Sequence, residues 1–403
     1  MKPSQLIPII APILLGTATA GSPRSRGQSS GQTLPLRATT YGSVFDVPVT
    51  IGNQTFQLLL DTGSSDTYVM EEGFTCVGSD NMIESRDQCQ YSNRTYHESE
   101  TYRQIPGQIF GIKYGAGTAS GRMAYEQVTM GNTTVLSQKV GIANVSQPMG
   151  DYISSGLVGL AYPALTSAHP SNHTGNSTTY WRDRLVYSPL LNTMAEQGQI
   201  DPYFSLALAH TPQNASTSFG GYITLGGLPP VKHSSHFSTV PVEITSQLPL
   251  WYTSGKKTLS YWSLTVENAT YGSSANNLTT NSTSFQVFVD SGNDKSYLPV
   301  ELADAINARF DPPATKDSSG LYIVDCNAKS PEFGLTIGDQ TFFHNGSDLI
   351  YKTSDGPCVS AVGSSESASV DGLNFNIIGV PLLKNVVAVF DFGKDQMRFA
   401  KTL

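Results

Sequence analysis

This chain of 403 residues has few charged side chains and no concentration of basic ones. Asp, Glu, Lys and Arg make up 14% of its residues, against roughly 25% in an average soluble domain. The formal net charge is −8, and no Lys/Arg cluster reverses it locally, which argues against a polyanion-binding surface. We therefore expect no nucleic-acid partner. The Ser, Thr, Asn and Gly residues that take the place of charged ones suit a mostly β structure.

Cysteine is also scarce, and the four cysteines are not spaced as metal ligands. None of them forms the Cys-x-x-Cys pattern of a zinc site. The even number favours structural disulfide bonds instead. Local pairing of Cys76 with Cys89 and of Cys326 with Cys358 would place one bond in each half of the chain.

The sequence has no apolar run that would cross a bilayer comfortably. The apolar stretch 6–15 follows Lys2 and precedes Ala18-Thr19-Ala20, which is the pattern of a secretory signal peptide. We predict a signal peptide over residues 1–20 and a secreted protein, and we consider the vacuole the less favoured destination. The C-terminus has no apolar tail, so we expect neither a lipid-linked C-terminus nor a stable membrane anchor.

Eleven Asn-x-Ser/Thr sequons are a further indication of the secretory pathway, because such a density favours a glycosylated surface. They begin at Asn53, Asn93, Asn132, Asn144, Asn172, Asn176, Asn214, Asn268, Asn277, Asn281 and Asn345.

The pattern along the chain predicts short strands, few helices and two halves. Residues 21–40 are rich in Ser, Gly, Pro and Arg, and we interpret them as a short flexible or removable leader. Beyond them, short alternating or apolar runs bounded by Gly, Asn and Pro indicate strands. These strands include 43–51, 56–60, 108–114 and 124–130, whereas helices are predicted only at 190–197 and 301–309. A polar stretch at 164–184 reads as a surface insertion. A second polar stretch at 210–218 divides a half of residues 41–210 from a half of residues 219–403.

The most informative feature is a motif that occurs once in each half. Asp61-Thr62-Gly63 and Asp290-Ser291-Gly292 each follow an apolar run, and each precedes an aromatic–aliphatic pair at the same offset, Tyr68-Val69 and Tyr297-Leu298. Burial of a carboxylate at the end of a strand costs free energy, so such a residue usually has a function. Two such carboxylates in matching contexts suggest two related lobes that each contribute one carboxylate to a shared site.

A second correspondence supports this duplication. The segments 156–160 and 376–379 each contain apolar residues followed by glycine and lie at similar distances beyond the two acids. We predict that each forms a buried strand close to the loop that carries its acid, where glycine permits close backbone approach.

Two neighbouring carboxyl groups have a definite chemical use. They cannot both ionise cheaply, so the pair holds one proton. The ionised member takes a proton from an attacking water, and the protonated member polarises the carbonyl under attack. This chemistry needs no metal, cofactor or covalent intermediate. Gly63 and Gly292 would permit the tight turns, and the hydroxyls of Thr62 and Ser291 would lock the two loops together.

These motifs resemble those of the pepsin-like aspartic endopeptidases of secreted fungal type, over most of residues 41–403. The resemblance implies a mostly all-β, bilobal fold with two related β-barrel-like lobes and a cleft between them. It also implies a monomeric endopeptidase that acts on peptides or proteins, with Asp61 and Asp290 as catalytic residues. Tyr114, Gly115 and Ala116 match the tip of the β-hairpin flap that closes over substrate in that family.

The chain departs from this family at three places. Asn293 stands where a Thr or Ser hydroxyl usually bonds the second catalytic carboxylate, and an amide can donate the same kind of hydrogen bond. Tyr68 stands where Trp is common, and Val380 replaces an Asp that influences the optimum pH. Ser64 is interpreted as an orienting hydroxyl beside Asp61.

Three other interpretations remain open from the sequence. Asp61 and Asp290 could be ordinary turn residues; the chain could be an inactive homologue that binds a protein or glycan; or it could be a glycosidase with paired carboxylates. We expect Asp66, Asp294 and Asp391 to be surface or turn residues.

Overall fold

The computed structural model describes residues 31–172, 182–212, 215–352, 356–370 and 372–403. The predicted signal peptide and the first ten residues of the leader, 21–30, lie outside this part of the chain. The strands up to the middle of the chain are β1 Gln32–Thr39, β2 Val44–Ile51, β3 Gln54–Asp61, β4 Thr67–Val77, β5 Ile83–Glu84, β6 Arg103–Lys113, β7 Thr118–Met130, β8 Thr133–Ser146, β9 Gly156–Gly159, β10 Ala168–Pro170, β11 Tyr203–Leu208 and β12 Ser218–Leu225.

The remaining strands are mostly shorter. They are β13 Ser238–Pro241, β14 Ser263–Val266, β15 Asn268–Ser274, β16 Asn277–Asn281, β17 Phe285–Val289, β18 Ser296–Leu298, β19 Thr315–Lys316, β20 Tyr322–Ile323, β21 Glu332–Ile337, β22 Gln340–Phe343, β23 Ile350–Lys352, β24 Cys358–Ser360, β25 Val362–Ser364, β26 Ser369–Val370, β27 Leu373–Asn374, β28 Ile377–Ile378, β29 Val386–Asp391 and β30 Gln396–Lys401. The α-helices are α1 Leu190–Glu196, α2 Val300–Asn307 and α3 Val380–Leu383. The predicted mostly β fold, with short helices near 190–197 and 301–309, is confirmed.

A 15-stranded sheet forms the framework of the molecule. Its main path runs β10-β6-β7-β8-β4-β9-β3-β2-β1-β12-β11-β29-β30-β13, with β5 beside β4. The second half adds a five-stranded sheet, β14-β17-β28-β18-β25, and smaller sheets. Alternate strand positions are apolar and buried, as in β2, where Phe45, Val47, Val49 and Ile51 have no exposed surface. The sheet therefore joins strands from both ends of the chain around one extended core.

Strand β1 corrects the predicted leader. From Gln32 onward the chain is not a flexible segment, since β1 pairs with β12 on one side and with β2 on the other. Leu34, Leu36 and Ala38 alternate into the core. This period of two was missed because Pro35 and Arg37, which lie between the apolar residues, make the stretch look like a linker.

One polar stretch differs in part from its predicted role. Within 164–184, the residues from Thr166 to His169 are buried and include most of edge strand β10, so this part is not a surface insertion. Residues 173–181 lie outside the described residues. The stretch at 210–218, where the sequence predicts the boundary between the two halves, lies between β11 and β12, which pair with each other in the large sheet.

Each half of the chain contains one disulfide bond. Cys76 is bonded to Cys89 and Cys326 to Cys358, with Cα–Cα distances of 5.7 and 5.2 Å. No helix among the described residues is long and apolar enough to cross a membrane.

Candidate active site

The two Asp-Thr/Ser-Gly loops occupy equivalent positions in two sheets. Asp61 ends β3, which pairs in parallel with β9, and Asp290 follows β17, which pairs in parallel with β28. The predicted buried strands next to both acids are thereby confirmed. The next strand in each half, β4 or β18, pairs antiparallel with the same neighbour. This repeated arrangement brings the two carboxyl groups together: Asp61 Oδ1 and Asp290 Oδ1 lie 2.7 and 3.2 Å from the position that a Cβ on Gly292 would take.

Reciprocal hydrogen bonds lock the two loops together. The Thr62 hydroxyl donates to the Val289 carbonyl at 2.9 Å and accepts from the Ser291 amide at 2.9 Å. The Ser291 hydroxyl donates to the Leu60 carbonyl at 2.8 Å and accepts from the Thr62 amide at 3.1 Å. All four bonds are buried, so each loop satisfies polar backbone groups of the other that water cannot reach.

Gly63 and Gly292 are required because each faces the carboxyl group of the opposite half. A Cβ atom on Gly63 would lie 2.5 Å from Asp290 Oδ2, and one on Gly292 would lie 2.7 Å from Asp61 Oδ1. Both separations are far below a normal contact. The glycine amides also orient the acids of their own loops, since Gly63 donates to Asp61 Oδ1 at 2.7 Å and Gly292 to Asp290 Oδ1 at 2.8 Å.

The electrostatic environment makes the two carboxyl groups unequal. Burial raises the pKa of Asp61, but hydrogen bonds from Ser64, Asp290 and the Gly63 amide oppose that rise. The Ser64 bond to Asp61 Oδ2 is 2.5 Å long. Burial and the adjacent charge of Asp61 raise the pKa of Asp290 well above its usual range. These differences favour the proton of the pair on Asp290 and the ionised form of Asp61.

Asn293 lies beside Asp290, where the sequence suggested a substitute for a hydroxyl. Its side chain lies next to Asp290, without the geometry of a regular hydrogen bond, and opposes the rise in the pKa of that carboxyl. Its backbone carbonyl accepts a 3.0 Å bond from the amide of Val380, which begins α3. The Asn293 amide therefore lies beside the carboxyl group that a Thr or Ser hydroxyl bonds in the family pattern.

Tyr114 lies at the turn between β6 and β7, above the acids. Its amide donates to the Gly117 carbonyl at 2.7 Å, which closes the turn, and Gly115 and Ala116 at the tip are exposed. The Tyr114 phenol lies next to Ser64, without the geometry of a regular hydrogen bond. Burial and the nearby charge of Asp61 raise the pKa of Tyr114 well above its usual range. The ring therefore presents a neutral hydroxyl to the site.

A cleft of about 590 Å³ contains both acids and is lined by residues of both halves. Residues of the turn 114–116 lie on one side, and Tyr252, Tyr261, Phe288 and Phe375 contribute aromatic surface from the second half. The sequence analysis identified the acids and the turn but not these aromatic residues. No local motif marks them, because their position depends on which strands the fold brings beside the acids.

Asp66 corrects the expectation that it is a surface or turn residue, whereas Asp391 has a role in a turn, since its Oδ1 accepts bonds from the Gly393 and Lys394 amides at 3.2 and 2.9 Å. Asp66 is fully buried, and its Oδ1 accepts bonds from the Ser167 amide at 2.8 Å and the Tyr187 hydroxyl at 2.6 Å. Burial raises the pKa of Asp66 despite these bonds. Asp391 is buried at the end of β29. Asp294, in contrast, is partly exposed and lines the cleft.

A second carboxyl pair lies beneath one edge of the cleft. Asp46, in β2, is fully buried, its carboxyl oxygens have no hydrogen-bond partner among the described residues, and Asp151 is the nearby carboxylate whose charge acts on it. Burial and the charge of Asp151 raise the pKa of Asp46 to about 9, and the Arg37 charge opposes this rise. Asp151 also accepts bonds from the Thr39 hydroxyl and from the Ser154 amide and hydroxyl. Asp46 therefore favours its neutral form beside the loop around Asp151, whose neighbours Gly150 and Ser154 line the cleft.

Comparisons with known proteins agree with this geometry. Residues 45–402 match the family described as "Eukaryotic aspartyl protease". The chain is 35% identical over 367 residues to a probable aspartic-type endopeptidase of Aspergillus fumigatus, covering 89% of this chain and 79% of that one. It is 26% identical to penicillopepsin-1 of Penicillium janthinellum, with coverage of 88% and 93%. The crystal structure of an aspartic proteinase from Irpex lacteus shares the fold, with a TM-score of 0.66 at 22% identity over 93% of this chain and 98% of that one.

Proposed function

Because this chain belongs to the eukaryotic aspartyl protease family, as an aspartic-type endopeptidase, we propose that Asp61 and Asp290 are its catalytic pair. The observation that carries this assignment is that two carboxyl groups, one from each half, meet inside the cleft: Asp61 Oδ1 and Asp290 Oδ1 lie 2.7 and 3.2 Å from the position that a Cβ on Gly292 would take. Two acids that meet in this way share one proton and can act together as base and acid. No observation favours an inactive homologue or a glycosidase.

The inequality of the two acids supports a division of their roles. Asp61, as the carboxylate, takes a proton from a water molecule while that water attacks the peptide carbonyl. Asp290, as the acid, donates a hydrogen bond to the carbonyl oxygen, which accumulates negative charge. The tetrahedral intermediate collapses when the leaving nitrogen receives a proton from the pair, and one peptide bond has then been hydrolysed. The short Ser64 bond favours the ionised form of Asp61.

The other site residues have supporting roles in this proposal. Thr62 and Ser291 fix the distance between the loops, and Gly63 and Gly292 leave room for the opposite carboxyl group. Asn293 orients Asp290 in place of a hydroxyl. Tyr114, Gly115 and Ala116 form a flap that covers an extended peptide, whose backbone bonds to the exposed turn.

We also propose that residues 41–210 and 219–403 act as two lobes of one monomer and that the protein is secreted. Fungal relatives include a vacuolar aspartic protease of Candida albicans, so the destination needs its own test. The predicted signal peptide supports secretion, as do the sequon asparagines: of the nine that are described, seven are exposed and none is buried. Mass spectrometry of the culture medium before and after glycosidase treatment would detect the exported glycoprotein, and light scattering would give its mass in solution.

The catalytic assignment is tested by replacing each acid with its amide. The purified wild type should cleave denatured haemoglobin or casein at acidic pH, and pepstatin should block cleavage. Asp61→Asn and Asp290→Asn should each lose essentially all turnover while keeping the wild-type circular dichroism spectrum. Asp294→Asn, a change at a carboxyl group that lines the cleft but is outside the pair, serves as the control. Substantial turnover by either catalytic variant would refute the assignment.

A further inference from the structure

The two acids have neighbours of different size at matching positions in the two halves. Leu59 precedes Asp61 by two residues, and side chains two residues apart on an extended strand point to the same side. Phe288 has the same relation to Asp290. Both Leu59 and Phe288 line the cleft. The first half therefore places an aliphatic side chain next to its acid, and the second half places an aromatic ring there.

The strands on both sides of these two residues extend the correspondence. The pairing partners are Asp46 and Leu157 for Leu59, and Ser263 and Ile377 for Phe288. The residues that stand two positions before these partners are Val44 and Ser155 in the first half, and Tyr261 and Phe375 in the second. Tyr261 and Phe375 therefore occupy the positions that Val44 and Ser155 hold in the first half.

Tyr261, Phe288 and Phe375 pack together as one aromatic cluster. The rings of Tyr261 and Phe288 are stacked, with centres 4.2 Å apart and planes inclined by 16°. The centre of the Phe375 ring lies 5.7 Å from that of Phe288 and 6.1 Å from that of Tyr261. All three residues line the cleft, yet none is more than 8% exposed. Because each ring is held by the other two, the cluster cannot make room for a ligand without loss of this packing.

The aromatic cluster makes the cleft unequal on the two sides of the catalytic pair. Tyr68 and Tyr297 line the cleft as a matched pair, one from each half, so they do not cause this inequality. Consecutive side chains of an extended peptide point in opposite directions. A peptide that is cut at the pair therefore directs the side chain on one side of the cut bond to the first half, and the side chain on the other side to the aromatic cluster.

We propose that Phe288 is a specificity-determining residue, which sets an upper limit on the size of the peptide side chain that binds beside the second half. This inference rests on the proposed protease function. Small and medium aliphatic side chains fit against the aromatic cluster, whereas a Phe or Trp side chain of the peptide overpacks it. The peptide residue on the other side of the cut bond faces Leu59 and is not subject to this limit.

Two sets of matched peptides test this proposal. Each set varies one of the two positions that flank the cut bond through Ala, Val, Leu, Phe and Trp and keeps the other position constant. Mass spectrometry of the products verifies the cut bond, and kcat/KM is measured for each peptide. At one position, wild type should favour Val over Phe by about tenfold, the effect of modest overpacking. Phe288→Leu should bring this ratio close to one and leave the ranking at the other position unchanged.

The duplication supplies a reciprocal variant. Leu59→Phe gives the first half the ring of the second half, so it should create a size limit of the same kind at the other flanking position. Phe343→Leu changes an exposed aromatic residue of the second half that does not line the cleft, and this control should keep both rankings. Ratios are compared within each variant, so a general loss of turnover near the acids does not affect the result.

The possible failures are distinguishable. If wild type cleaves none of the peptides and no denatured protein, the proposed protease function is wrong. Cleavage without a size limit at either flanking position overturns the role of Phe288 alone, as does a limit that persists in Phe288→Leu. If Phe288→Leu does not fold, Leu59→Phe decides the question: a new limit at the other position supports the proposal, and an unchanged ranking there overturns it.

Discussion

The Asp46–Asp151 pair predicts that this protein loses stability as pH rises through neutrality. Folded Asp46 keeps its proton up to about pH 9, whereas an Asp in the unfolded chain releases it near pH 3.9. Between these values the folded state binds one more proton, so the free energy of unfolding falls by about 1.4 kcal/mol per pH unit. From pH 5 to pH 8 this single group removes about 4 kcal/mol.

Replacing Asp46 with Asn should remove that pH dependence. The amide has nearly the shape of the protonated acid, but it has no proton to release. Urea unfolding at pH 5, 6, 7 and 8 should therefore show a shallower decline in the free energy of unfolding for Asp46→Asn, and the variant should be the more stable protein at pH 8. Both proteins would carry Asp61→Asn, so that unfolded chains are not digested. Because both proteins carry Asp61→Asn, this change does not affect the difference between their free energies of unfolding.

Two controls separate this effect from a general change in charge. Glu100→Gln changes an exposed carboxylate and should leave the pH dependence as in wild type. Asp151→Asn places an NH2 group among the donors of Ser154 and Thr39, so it should lower stability at every pH by about 2 kcal/mol. Parallel declines for wild type and Asp46→Asn between pH 5 and pH 8 would refute the reasoning.

Three further predictions concern the catalytic loops. Gly292→Ala places a Cβ 2.7 Å from Asp61 Oδ1, so kcat should fall at least about 100-fold by displacement of the carboxylate, while the thermal unfolding midpoint changes little; near-normal turnover would contradict the close contact. Thr62→Val leaves the buried Val289 carbonyl and Ser291 amide without partners, and urea unfolding should show a loss of about 2–4 kcal/mol; unchanged stability would show that the loops hold without these bonds. Asn293→Ala removes the amide that lowers the pKa of Asp290, so the alkaline limb of the kcat/KM profile should move to higher pH; a shift to lower pH would contradict this role.

The features that were best predicted from the sequence are those whose motif occurs in both halves. The repeated Asp-Thr/Ser-Gly motif and the apolar segments that follow it indicated the strands β3, β9, β17 and β28 and the meeting of two acids. Each copy supports the interpretation of the other, since one such motif alone is an ordinary turn. The carboxyl pair and the reciprocal hydroxyl bonds follow from that duplication.

Features that occur once and join distant parts of the chain were not predictable. Asp46 lies inside a strand, where an isolated Asp gives no sign that Asp151 will meet it in the fold. Arg184 belongs to a polar stretch that resembles a surface insertion, and its partner Tyr252 comes from the other half. Asp66 follows the catalytic loop closely, but only the fold shows that Tyr187 and Ser167 bury it.

Strand β1 limits how far proteolytic removal of the predicted leader could extend without loss of strand pairing. In the large sheet, β1 lies between β2 and β12. On the far side of β12 the neighbouring strands are β11, β29 and β30, and the last two come from near the C-terminus. The eight residues of β1 therefore connect β2 and β12 through strand pairing. A processing enzyme that removed the leader as far as Thr40 would break both pairings, whereas a cut before Gln32 would preserve them.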